Sequence, residues 1–298
     1  MDGFCGSGVQ VFALHDAQWR AKARDAGVAT LYLHALNPYG FSHLRRATHE
    51  NVDLTCNFVD FSQPLPVNAA YREIAHLLIP PTWPPDASHQ AALEQIIAHR
   101  SRVALLAALS RGQHEFAQGL FFWLHGAHLE PPHPAPGTAP ARRASHAHGL
   151  WMDLHAGQGA HGQGERIFAG GDDRAAAARA RQWWGGAGAK TVASTDDGTS
   201  APAFLAGPMC CAALHGECTQ AEITGITLQF GTEPAQEVLQ ALRAEQWLHL
   251  HPEAPPRRAD QIRAQMRAAF HTDTDAWKGQ VIAQARQALF QAVDRLSS

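Results

Sequence analysis

Asn37 to Phe61 reads N-P-Y-G-F-S-H-L-R-R-A-T-H-E-N-V-D-L-T-C-N-F-V-D-F and follows the apolar run Ala29-Thr30-Leu31-Tyr32-Leu33-His34-Ala35-Leu36. The run is the length and composition of a buried strand. Asn37-Pro38 then forces a turn, because proline lacks a backbone donor and restricts the residue before it. In α/β folds ligands lie where such strands end. The turn and the charged segment after it are therefore expected to form one wall of a site.

Composition narrows the class. A chain of 298 residues, 45% hydrophobic with 8 Trp and 13 Phe, can bury the core of one large α/β domain. A single domain over residues 1–298 is expected, since no repeat and no convincing linker interrupts it. The net charge of −3 provides no basic field for nucleic acid. No apolar run reaches the ~18 residues of a membrane span, and the first residues show no leader pattern. Five cysteines, two of them adjacent, make no even disulfide framework. The expectation is a cytoplasmic protein with no membrane or nucleic-acid partner. The oligomeric state is not legible.

Four stretches together are similar to the zinc carboxypeptidase superfamily, and most similar to its bacterial branch with an H-G-V-E-G-F-C-G-S opening. They are Asp2-Gly3-Phe4-Cys5-Gly6-Ser7, N-P-Y-G-F with Arg46 and V-D-L-x-x-N-F, Trp151-Met152-Asp153-Leu154-His155, and Ile226-Thr227-Leu228-Gln229-Phe230-Gly231-Thr232. The resemblance implies a three-layer α/β/α fold with a central mixed sheet of the zinc carboxypeptidase type. It also implies that two strands and a ligand His would lie upstream of Met1. A domain lacking them should expose a sheet edge or the face of its first helix.

The resemblance likewise implies residue roles. Zinc would be held by His155 and by Asp2, which stands at a Glu position. Arg46 would polarise the substrate carbonyl, and Gln229 stands where the family has its general base. Thr55 and Cys56 occupy the positions of the Asn-Arg pair that grips a substrate carboxylate. A guanidinium fork matches a carboxylate bidentately and a thiol does not. Asp153, two residues before His155 on a strand, shares its face and could orient a ligand. Read singly, these residues have plainer alternatives: Asp2 as a solvated acid, Arg46 as half of a surface pair with Arg45, His155 as a buried strand histidine.

The chemistry of a zinc peptidase needs three protein ligands, an open position for water and a carboxylate to take its proton. General base catalysis alone contributes about 10²–10⁴-fold, and an amide cannot supply it. The expected function is therefore a zinc carboxypeptidase-like hydrolase of a small peptide or other amide substrate, impaired or inactive as the chain stands. The alternatives are a non-catalytic homologue that binds a ligand or partner, and the product of a damaged or misassigned gene.

The remaining chain reads as a helix over Gly6–Ala26, a short amphipathic segment over Tyr71–Leu78 stopped by Pro80-Pro81, then a long helix from Ser88, as N-cap, to Ser110. Five prolines make 126–149 a Pro/His-rich loop. His125 just before it and its His128, His133, His146 and His148 read as solvated side chains rather than a metal tract. A glycine-rich turn at 157–164 lacks a dinucleotide fingerprint. An Ala-rich helix capped by Asp172-Asp173 runs to Trp184. Cys210, Cys211, His215 and Cys218 lack the second C-x-x-C of a structural zinc site and read as buried thiols. Three helices close the chain: from Pro234 through Trp247, Arg258–Phe270 and Asp275–Leu296.

Overall fold

The computed structural model describes residues 1–54, 64–122, 148–170, 173–185, 191–194 and 222–296. Thr55, Cys56, the 126–147 part of the Pro/His-rich loop and Cys210, Cys211, His215 and Cys218 lie outside them.

The described residues form an α/β fold around a mixed sheet of four strands in the order β1-β4-β2-β3. These are β1 His148–His161, β2 Gly164–Phe168, β3 Ala193–Ser194 and β4 Glu222–Gly231. β1 runs parallel to β4, β4 antiparallel to β2, and β2 parallel to β3. β4 lies inside the sheet, and its Ile226-Thr227-Leu228-Gln229-Phe230 run is buried throughout. An apolar, β-branched sequence suits a strand covered on both faces.

Helices cover both faces. On one, Ala156, Leu228 and Phe230 pack with Cys5 and Val9 of α1 (Phe4–His15), Trp184 of α7 (Arg174–Trp184) and Trp277 and Val281 of the last helix, Asp275–Leu296. On the other, a second core joins α4 (Ala69–Leu78) and α6 (Arg102–Ser110) to α8 (Ala235–Leu250) and α9 (Pro256–Phe270). The last helix is α10. The close approach of α9 to β1 needs a glycine: at Gly157, with φ +135°, a Cβ would sit 3.1 Å from the Phe270 ring.

The three C-terminal helices fall where apolar periodicity puts them, and α7 is capped by Asp173, whose side chain accepts from Ala176 N–H. Elsewhere local polar groups cut the predicted helices. The helix expected over Gly6–Ala26 is two, α1 and α2 (Ala17–Asp25), because the Asp16 carboxylate accepts from the Gln18 and Trp19 amides and starts a new helix. The helix expected from Ser88 to Ser110 is also two, α5 (Ala87–Arg100) and α6. Asp86, not Ser88, caps the first, and Ser101, at φ +70°, breaks the chain and caps the second. The glycine-rich turn is shorter than expected, since β1 runs on to His161.

The run Ala29–Leu36 is not a strand. It has no strand beside it among the described residues, so alternating apolar side chains do not become a ladder, and Leu31, Leu33 and Leu36 are exposed. Side chains tether it instead: Gln10 donates to Leu33 O at 2.8 Å, Ser7 Oγ lies 2.8 Å from His34 Nε2, and Trp19 donates to the Tyr32 hydroxyl. Val11 and Leu14 on α1 are exposed as well. No described helix is long and apolar enough to cross a membrane.

One buried cation locks the helical layer. Arg243 of α8 has no exposed surface, and it donates to the carbonyls of Leu77 and Leu78 at 3.2 and 2.6 Å. These are orphan carbonyls at the end of α4, and a guanidinium satisfies two of them while complementing the helix dipole. Burial pulls its pKa down to about 10, which leaves it charged at neutral pH. Arg243→Ala should cost about 2–4 kcal/mol in urea unfolding by leaving those carbonyls unpaired in the core. A loss under ~0.5 kcal/mol, the scale of a bland surface change, would show that they find other donors.

Candidate functional site

Three separate stretches meet midway along β1, at His155 and Ala156. α3 (Pro38–His43) explains the N-P-Y-G sequence. Pro38 occupies a first-turn position, and the Asn37 carbonyl oxygen of the side chain accepts from Gly40 N–H at 2.8 Å. The other end of the same amide donates to the backbone carbonyl of Arg46 at 3.1 Å. Leu44, at φ +57°, reverses the chain after the helix. The turn thus fixes the backbone that carries Arg45 and Arg46.

These two arginines point to different places. Arg45 is buried and reaches α8, where it donates to Glu245 at 2.8 Å and Gln246 at 3.1 Å, and it also holds the Asn51 side chain at 2.7 Å. Asn51, at φ +67°, in turn donates to the carbonyls of Ala117 and Gly119. Burial pushes the Glu245 carboxyl up to about 7, against the downward pull of Arg45.

Arg46 enters the site. Its Nη1 donates to Asp2 at 2.8 Å and its Nε to Asp53 at 2.9 Å, and its guanidinium carbon lies 5.5 Å from the centre of the Phe121 ring. Asp2 is filled from three sides. Its Oδ1 accepts from Ala156 N–H at 2.7 Å, while its Oδ2 meets Arg46 and lies 2.9 Å from His155 Nδ1. Asp153, on the same strand face as His155, lies 2.8 Å from the other ring nitrogen. The result is one buried chain of contacts: Asp53–Arg46–Asp2–His155–Asp153.

Electrostatics follow from that geometry. With a carboxylate at each nitrogen, His155 has two acceptors for two N–H groups. Burial opposes the ring's charge, but Asp153 and Asp2 outweigh it and hold the pKa up to about 10. Burial likewise opposes ionised Asp2, yet His155, Arg46 and Ala156 N–H hold it well below the usual carboxylate range. The buried Cys5 thiol is pushed up by burial and by Asp2, and is inert as a nucleophile.

Gln229 sits directly opposite His155 in the β1–β4 register and is buried. Its amide turns away from the charged chain and lies against the backbone of β1. With the oxygen facing that backbone it accepts from Gly157 and Gln158 N–H at 3.3 and 3.2 Å. It is spent on structure and cannot take a proton.

Asp2, Arg46, His155 and Gln229 are therefore gathered in one place, with Asp153 beside them. The sequence alone assigns no role to Asp53, although it lies in the V-D-L segment, nor does it reveal the Asn37 hold on Arg46 or the Arg45–Glu245 pin. Only the N-P-x-G spacing carried a signal for any of these.

Zinc fits this arrangement poorly. A catalytic zinc needs three protein donors. Asp2 and His155 adjoin, but both imidazole nitrogens face carboxylates, and no group of three His, Cys, Asp or Glu side chains converges among the described residues.

Two substitutions check the scaffold. At Gly40 a Cβ would lie 2.3 Å from the Asn37 amide and 2.7 Å from Arg45 O. Gly40→Ala should therefore cost about 1–3 kcal/mol in urea unfolding; an unchanged midpoint would show that the turn can shift freely. Glu245 is an acid whose folded pKa lies above its unfolded one. The stability it lends is present below about pH 4.5 and fades as pH rises through about 7. Between those values wild type should lose about 1–3 kcal/mol relative to Glu245→Gln, read as urea midpoints against pH. A flat difference would show that Arg45 keeps Glu245 ionised throughout.

No curated protein and no solved structure matches the chain. One family model does, over residues 1–284. That match covers nearly the whole chain, which therefore belongs to the family described as protein of unknown function, DUF2817.

Proposed function

We propose that this chain is an impaired hydrolase of the zinc carboxypeptidase type, with a site suited to a peptide or another small amide. The observation that supports the reading is the meeting of Asp2, Arg46 and His155 within hydrogen-bond distance across 44 and 153 residues of sequence. The resemblance of the four sequence stretches to that superfamily anticipates this convergence.

The same contacts account for the impairment. Hydrolysis of an amide requires a group that takes a proton from water and a donor for the developing oxyanion. Gln229 is an amide hydrogen-bonded to backbone. Arg46 already holds two carboxylates, so polarising a substrate carbonyl would mean giving up a charge-assisted bond of about 1.5–3 kcal/mol. Asp153 and Asp2 are occupied by His155. Gln229, Asp2 and Asp153 are thus all engaged, which leaves none of these three to take the proton.

A second reading, a non-catalytic homologue that only binds its ligand, is favoured by the position of Gln229 against Gly157 and Gln158. Peptide binding by titration calorimetry and amide hydrolysis, both in wild type and Gln229→Glu, separate the two. The hydrolase reading expects equal binding and turnover raised 10-fold or more in Gln229→Glu, the lower part of what a general base contributes. Equal binding with no turnover in either protein would favour the second reading. Absence of binding in both would overturn both.

A further inference from the structure

We propose that the face made by α1 and residues 29–36 is where a second copy of this chain docks, with the two 29–36 runs antiparallel about a two-fold axis. The pairing is independent of the hydrolase reading, since the face uses none of Asp2, Arg46, His155 or Gln229.

The run lies along α1 in the opposite direction: Ser7 meets His34 and Gln10 meets Leu33, so residue numbers fall in one as they rise in the other. Tyr32 turns inward to Trp19 and Ala13. The leucines on either side of it turn outward. Five of the six large apolar side chains exposed among the described residues belong to this face: Val11, Leu14, Leu31, Leu33 and Leu36, each 41–62% exposed. Scattered single leucines would mean nothing, but such a concentration marks an interaction surface.

Charge is missing as well. The chain is 17% Asp, Glu, Lys and Arg, yet α1 and residues 26–44 contain none of them. Edges that face water are ordinarily kept apart by charged side chains, lysine above all. Interface cores are where charge is depleted.

The backbone decides which partner fits. Among the described residues none of 29–36 makes a backbone–backbone hydrogen bond, and Gln10 engages only Leu33 O. A stretch of unpaired N–H and C=O groups is self-complementary, because an antiparallel copy presents the same groups in reverse order. A neutral face meeting its own copy also buries no unmatched charge. Ala35, at φ +51°, turns the backbone away and confines the ladder to residues 29–34. Size agrees. With 12 residues α1 is about 18 Å long and about 10 Å across, and the run beside it widens the face to the scale of the ~800 Å² that each partner buries in a standard interface.

Sedimentation velocity on the full chain, over about a 100-fold range of concentration, tests this. Wild type should pass from monomer to dimer and no further. Leu33→Glu should raise the dissociation constant about 100-fold or more, since its dimer would bury an unpaired carboxylate. Val67→Glu changes the sixth exposed side chain, just before α4, and should leave the constant unchanged. Leu33 is exposed within one chain, so the Leu33→Glu monomer should keep the far-UV spectrum of wild type. If it does not fold, Val11→Glu on the helix side of the face decides on the same terms. A wild type that stays monomeric overturns the proposal and leaves the face to a partner of another kind. Growth beyond the dimer overturns the closed pair. Dimerisation of Leu33→Glu as tight as that of wild type, or an equal loss in Val67→Glu, overturns the assignment to this face. None of these readouts involves an amide ligand, so their failure is separate from any failure to bind or hydrolyse one.

Discussion

Everything in the site depends on the carboxylate of Asp2. It is buried, it is approached by a guanidinium, an imidazole and a backbone N–H, and those donors come from the 45–53 segment and from β1. A buried charge is tolerated only when such partners are in place, and removing one of them leaves the rest at a cost of several kcal/mol. The contact therefore does more than satisfy one charge. It ties the start of α1, the turn after Asn37 and the strand carrying His155 into one arrangement, because none of the three can move without exposing an unmatched charge.

The paired arginines show how the fold sends neighbouring cations to different partners. Arg45 and Arg46 are neighbours in sequence, yet one faces α8 and holds Glu245, Gln246 and Asn51, while the other faces Asp2 and Asp53. Arg243 follows the logic of Arg45 on another side of α8, closing the end of α4. In each case a long cation is buried because its donors have acceptors already fixed by secondary structure. The site inherits its rigidity from this helical layer, since the turn that aims Arg46 is pinned through Arg45.

His155 and Gln229 illustrate what a sheet contributes. Two strands far apart in the chain lie parallel in a register that places these residues opposite each other. From there their environments diverge. His155 looks out to two carboxylates, and Gln229 folds back on the glycine-rich end of β1, where Gly157 and Gln158 offer backbone donors. Gln229 is thereby part of the β1–β4 framework.

The sequence by itself determined the class of the fold, the C-terminal helices, the strands of His155 and Gln229 and the turn built by Asn37, Pro38 and Gly40. Each of these is written in local periodicity, capping residues or a short motif. It misjudged Ala29–Leu36, where an alternating apolar pattern is necessary for a strand but a neighbouring strand is what makes one. It also joined helices that Asp16 and Ser101 divide, because a side chain that caps one helix interrupts another. Tertiary structure alone decided the partners of each charge: that Arg46 would bind Asp2 and Asp53, that Arg45 would turn to α8, and that both nitrogens of His155 would be taken. The physical reason is that ion pairs and hydrogen bonds form between groups brought together by burial, and a linear pattern carries the groups without the distances between them.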